Sequence, residues 1–229
     1  MAQVILDLAR PLTTWTPVDR GGRVVDGFPV REFEMALQSF LVSAGVVALA
    51  EVGDKTQLLS LALAAKYRRP LPIVLGVLVA TLVNHGFAGA LGVLVANWLT
   101  PTILNWTVVA SFVAMAGWIL VPDKLDDEDA GLKRPMGVFA TTVVAFFLAE
   151  IGDKTQVVTI ALAAEYRDLV SVVGGTTLGM LLANVPVIYL GKRFAARLPA
   201  RLVHAIAAVM FLVLGGLALQ RALSGASVF

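Results

Sequence analysis

Six long apolar segments set the limits on what this chain can fold into. They cover approximately residues 35–65, 71–96, 103–121, 136–164, 169–191 and 202–222. Each is long enough to cross a bilayer as a helix, which takes ~20 residues; the first and fourth are longer than required and carry Gly and several ionisable residues near their middles, which predicts a tilted or interrupted helix in each. Hydrophobic residues make up 58% of the chain and charged residues 15%, where a soluble domain has about half and about a quarter. Most of the surface is therefore expected to face lipid. The predicted fold is all-α, a polytopic membrane protein of six transmembrane helices.

The net charge of +2 is carried in short basic clusters between the apolar segments, which is the pattern of membrane loops and not of a nucleic-acid surface. With no cysteine in the chain, disulfides, thiolate metal sites and cysteine nucleophiles are excluded. No Walker-type glycine-rich phosphate loop is present, so the chain has no ATP-driven engine of its own. Residues 1–34 are mixed and polar, with Pro11, Pro17, Pro29 and the Gly21-Gly22 pair. They lack the apolar run of a cleavable signal and read as a mobile tail, with Met35 as an alternative start.

One block of sequence occurs twice. Leu49 to Arg68 reads LAEVGDKTQLLSLALAAKYR and Leu148 to Arg167 reads LAEIGDKTQVVTIALAAEYR, identical at fourteen of twenty positions. Asn84 and Asn184 fall at nearly equivalent places in the next span of each half. The chain therefore divides into a three-helix repeat over 35–122, an acidic linker over 123–135 and a second three-helix repeat over 136–222. An odd number of spans per repeat makes the second repeat enter the membrane from the opposite side, which predicts an inverted-topology repeat.

Basic residues orient it. Lys66, Arg68 and Arg69 lie in loop one, Lys124, Lys133 and Arg134 in loop three, and Lys192, Arg193, Arg197 and Arg201 in loop five, against Arg167 alone in the even loops. The positive-inside rule puts the odd loops in the cytoplasm and both termini outside. Arg10, Arg20, Arg23 and Arg31 in the tail pull the other way. The linker's Asp123, Asp126, Asp127, Glu128 and Asp129 read as a solvated loop, or as a surface gathering cations at the cytoplasmic mouth.

The chemistry sits inside the first and fourth spans. Glu51, Asp54 and Lys55 lie in one and Glu150, Asp153 and Lys154 in the other. An ionised side chain in hydrocarbon costs about 2.5–3.5 kcal/mol or more, so these six must face each other or a wet cavity. On a continuous helix, Asp54 stands ~60° to one side of Glu51 and Lys55 ~40° to the other, and Gln57 continues the face of Asp54. Each repeat thus offers Glu, Asp and Gln oxygens on one stripe, with Gln156 the partner of Gln57. Four carboxylates and two lysines sum to −2, which one dication or two protons would neutralise. Carboxylate and amide oxygens suit hard dications, with Asn84 and Asn184 as additional donors. His85 and His204 have no counterparts in the repeat, so Zn²⁺ and Cu⁺ fit less well than Ca²⁺, Mn²⁺ or Mg²⁺. His85 reads as a packing residue. Gly53 and Gly152 permit close helix approach or local unwinding, and Thr56 and Thr155 can bond a backbone carbonyl or line a cavity.

At these residues the sequence resembles the Gdt1 family. Two copies of Glu-x-Gly-Asp-Lys-[Ser/Thr], here EVGDKTQ at 51–57 and EIGDKTQ at 150–156, set in six spans around an acidic central loop, carry the resemblance over residues 36–222. It implies a secondary transporter exchanging Ca²⁺ or Mn²⁺ for protons, with Glu51, Asp54, Glu150 and Asp153 as the motif carboxylates and Lys55, Thr56, Lys154 and Thr155 completing the motif. The expectation is Mn²⁺ export across a cell inner (plasma) membrane, with Ca²⁺ second, no resident cofactor and no enzymatic activity. A passive cation channel, an intramembrane aspartyl protease built on Asp54 and Asp153, an amino-acid exporter, and a purely structural core of Glu51–Lys154 and Glu150–Lys55 pairs are the alternatives.

Overall fold

The computed structural model describes residues 30–121, 137–191 and 199–224. The tail before Val30, the linker at 123–135 and loop-five residues Lys192, Arg193 and Arg197 lie outside the described residues. Eight helices are described: α1 Val30–Ala50, α2 Lys55–Tyr67, α3 Pro70–Trp98, α4 Pro101–Trp118, α5 Val138–Glu150, α6 Lys154–Tyr166, α7 Leu169–Leu190 and α8 Ala200–Ser224. Residues up to Met35 belong to one compact unit and those from Ala36 onward to another; the packing below concerns the second.

Four helices are long and apolar enough to cross a membrane: Glu32–Ala50 of α1, α3, α7 and Arg201–Ser224 of α8. The outer surface agrees with a lipid environment. Phe87, Val170 and Leu212 are all exposed, as are many other large apolar side chains that water would penalise. The first and fourth apolar segments do not run as single helices. Each is broken at its motif, into α1 and α2 and into α5 and α6, which leaves α5 only 13 residues long.

The helix ends follow from local sequence. Arg68 and Arg167 close α2 and α6 in the left-handed conformation (φ 52° and 51°), and Pro70 then starts α3 at a first-turn position where a missing N–H does no harm. Asp168 caps α7 by accepting from Ser171 N at 3.0 Å.

Between helices in lipid there is no hydrophobic drive, so close packing has to hold them together. Small residues provide it. A Cβ on Gly175 of α7 would stand 2.3 Å from Phe40 O of α1, and one on Gly179 would stand 2.6 Å from Ala44 O. In the other half, Gly76 of α3 lies under Phe139 O and Thr142 of α5, and Gly92 lies under Ile160 O of α6. Each half's broken helix therefore rests on a helix of the other half. α4 and α8 pack together, with the Phe112 and Phe211 rings 6.4 Å apart between centroids.

These contacts fix the register between the halves. Phe40 and Phe139, Gly76 and Gly175, and Glu51 and Glu150 are all pairs 99 residues apart. Since α3 and α7 both run on unbroken through this region, the counterpart of Asn184 is His85, and the counterpart of Asn84 is Ala183. The sequence pairing of Asn84 with Asn184 is off by one residue, which on a helix is about 100° of rotation.

Candidate functional site

Both motifs form an elbow, where a continuous-helix reading had drawn a stripe. α1 ends at Ala50, Gly53 turns the chain at φ 81°, and Asp54, extended at φ −79° and ψ 169°, is the N-cap of α2. The second motif repeats this, with Gly152 at φ 74° and Asp153 at φ −79° and ψ 164° capping α6. A positive φ is readily adopted only by glycine. Gln57 stands three residues into α2, and its Oε1 accepts from Gly53 N at 2.9 Å. Gln156 does the same for Gly152 N at 2.9 Å. This is close kin to the capping box, in which the third helical residue reaches back to an orphan N–H. The two Gln side chains thus hold the elbows, and Gln57 Nε2 also donates to Ala183 O of α7 at 3.0 Å.

The elbows bring three carboxylates together. Glu51, Asp54 and Asp153 each offer an oxygen, and the three oxygens lie within 4.8 Å of one another. All three residues are buried, Glu51 completely. Glu51 Oε2 accepts from Thr56 Oγ1, while Glu51 Oε1 has no hydrogen-bond partner among the described residues. Asp153 Oδ2 accepts from Thr155 Oγ1 at 3.3 Å, and Asp153 Oδ1 pairs with Lys55 Nζ of the other repeat at 3.3 Å. Lys154 donates to Val121 O at 2.6 Å.

Glu150, the fourth motif carboxylate, is equally buried but held by α3. Its Oε1 accepts from Thr81 Oγ1 at 2.9 Å and its Oε2 from Asn84 Nδ2 at 3.1 Å. The 99-residue register explains the inequality. Where α3 presents Thr81 and Asn84, α7 presents Met180 and Ala183. Neither of those side chains donates a hydrogen bond, so Glu51 lacks from α7 what Glu150 receives from α3. Asn184 instead accepts from Ser60 Oγ at 2.7 Å and donates to Met180 O at 3.0 Å.

Several contributors were not legible as site residues. Thr81 and Ser60 look like ordinary hydroxyls in apolar helices until the cross-half packing is known. His204 meets the first elbow, its Nε2 donating to Val52 O at 2.6 Å. His85 is fully buried with neither ring nitrogen hydrogen-bonded among the described residues.

Two like charges ~4 Å apart repel by about 4 kcal/mol even at an effective dielectric of ~20. Three carboxylates this close, in a buried place, are relieved by a bound cation, by the Lys55 ammonium or by protons. The set is all-oxygen and drawn from both repeats, which is the chemistry of a hard-cation site. Carboxylates gathered at breaks in membrane helices are an arrangement that secondary cation transporters use.

Comparison with known proteins agrees. The chain belongs to the GDT1 family of divalent cation/proton antiporters, whose model matches it twice, over residues 39–127 and 138–226. Over 194 residues it is 50% identical to a Vibrio cholerae protein described as a candidate manganese exporter, covering 84% of this chain and 94% of that one. It is 27% identical to GDT1-like protein 5 of Arabidopsis thaliana, covering 78% and 94% of the two chains. It is 25% identical to a GDT1-like protein of Synechocystis, covering 76% and 93%. No solved structure matches the chain.

Proposed function

We propose that the protein exports Mn²⁺ across the inner (plasma) membrane in exchange for protons, through one dication site made by both repeats. The observation that carries this reading is the cluster of Glu51, Asp54 and Asp153 oxygens within 4.8 Å, in which Glu51 also has one oxygen, Oε1, with no hydrogen-bond partner among the described residues. Glu150 joins them or relays to them when Thr81 and Asn84 release it. Gln57 and Gln156 hold the elbows, and as ligands they rank behind the carboxylates. Protons and metal compete for the same oxygens, so a proton gradient directed inward drives metal outward without a second path.

The arrangement that fits this activity is six spans in two inverted repeats, with α1–α2 and α5–α6 as the broken spans and the odd loops in the cytoplasm. The doubled family match and the reciprocal packing of each broken helix on the other half support it. Mn²⁺ ranks first because of the Vibrio cholerae relative. Ca²⁺ ranks second, because oxygen ligands admit it equally.

The test is metal uptake by proteoliposomes of purified protein under an imposed pH gradient. Glu51→Gln removes the negative charge of the cluster's most buried carboxylate at nearly constant volume and should abolish Mn²⁺ flux while leaving folded yield near that of the parent. Parental flux in Glu51→Gln, or Mn²⁺ flux that moves no protons, would overturn the reading.

A further inference from the structure

The two motif lysines have the same neighbours in sequence, and Lys55 reaches a carboxylate of the other repeat. Lys55 Nζ stands 3.3 Å from Asp153 Oδ1, across the boundary between repeats. Lys154 Nζ stands 2.6 Å from Val121 O, at the end of α4. Asp153 is also one of the three clustered carboxylates. The Lys55 side chain is 19% exposed and that of Asp153 only 3%, so the lysine is the less enclosed member of the pair.

Resting on the dication reading above, we propose that Lys55 is a tethered competitor for the cation site. Its ammonium and a dication draw on the same Asp153 carboxylate, so the Lys55–Asp153 pair opens as metal enters and re-forms as metal leaves. Lys55 keeps its charge throughout. Without the lysine the same carboxylates carry one more uncompensated negative charge, and let go of a dication reluctantly. Lys55 thus trades affinity for release, which a transporter needs because a substrate bound too tightly is not delivered.

The test compares purified full-length parent, Lys55→Gln and Lys55→Arg at alkaline pH, where protons compete least. Mn²⁺ binding is followed by titration calorimetry and Mn²⁺ flux in proteoliposomes. Lys55→Gln should bind Mn²⁺ about tenfold more tightly, with KM and maximal flux both falling. Lys55→Arg keeps the charge and should return both towards parental values. A purely structural lysine would behave differently, with Lys55→Gln raising KM, weakening binding or leaving binding unchanged, and any of these overturns the proposal. If the parent itself binds neither Mn²⁺ nor Ca²⁺, the dication site fails and this inference with it. A parent that binds metal beside a Lys55→Gln variant that binds no better removes the competitor role alone.

Discussion

Gly152 has φ 74° and no heavy atom within 4 Å of where a Cβ would stand, so replacing it tests the backbone alone. An L-residue in that region costs about 1–2 kcal/mol, and a chain of this length loses about 2–4 °C of midpoint per kcal/mol. Gly152→Ala should therefore lower the thermal midpoint of the solubilised protein by about 2–8 °C, and Gly152→Asn by less, because Asn tolerates positive φ better. An unchanged midpoint in Gly152→Ala would contradict the elbow. The motif carboxylates were legible in the sequence because a charge inside an apolar run has so few explanations. The elbow was legible too, but through a different signal: Asp followed three residues later by Gln marks a helix start, whereas a helical wheel assumes there is none. Thr81, Asn84 and Met180 acquire their roles only from the register of α3 and α7 against the opposite half, which no local pattern carries.

At the level of elements, α3 holds two glycines with opposite expectations. A Cβ at Gly92 would stand 2.3 Å from Ile160 O, whereas one at Gly86 meets nothing within 4 Å. Gly92→Ala must push α6 away, and the second motif sits at the start of α6, so folded yield and Mn²⁺ flux should both fall. Gly86→Ala gains about 1 kcal/mol of helix propensity and should leave the midpoint equal or slightly higher. Thermal unfolding of the two variants side by side checks this, and equal losses would mean that α3 does not lie against α6 as described. Six apolar segments were evident from hydropathy, but four helices meet the length and composition of a span. The motif break divides the segment at 136–164, and Pro101 starts α4 near the position expected for the third. Hydropathy averages over a window and passes across an elbow of three or four residues.

The whole molecule is two halves that complete each other. α3 packs on α5, α6 and α7, and α7 packs on α2 and, through Gly175 and Gly179, on α1. A chain cut within the 123–135 linker should therefore give two fragments that are each unstable alone. Co-expressed, they should reassemble and restore resistance to excess Mn²⁺ in cells lacking the gene. Measuring fragment abundance with and without the partner checks this, and a half that accumulates and transports alone would refute it.

That reciprocal seating also bears on how such a protein changes over generations. A substitution in α3 alters the seat of the opposite half's motif, so a mutation in one copy of the ancestral duplication is tolerated or purged according to what the other copy carries. The two halves are then bound to drift as a pair, as two subunits of an obligate dimer would. The Thr81 and Asn84 of one copy stand where the other has Met180 and Ala183, so the two copies no longer offer their opposite motifs the same seat.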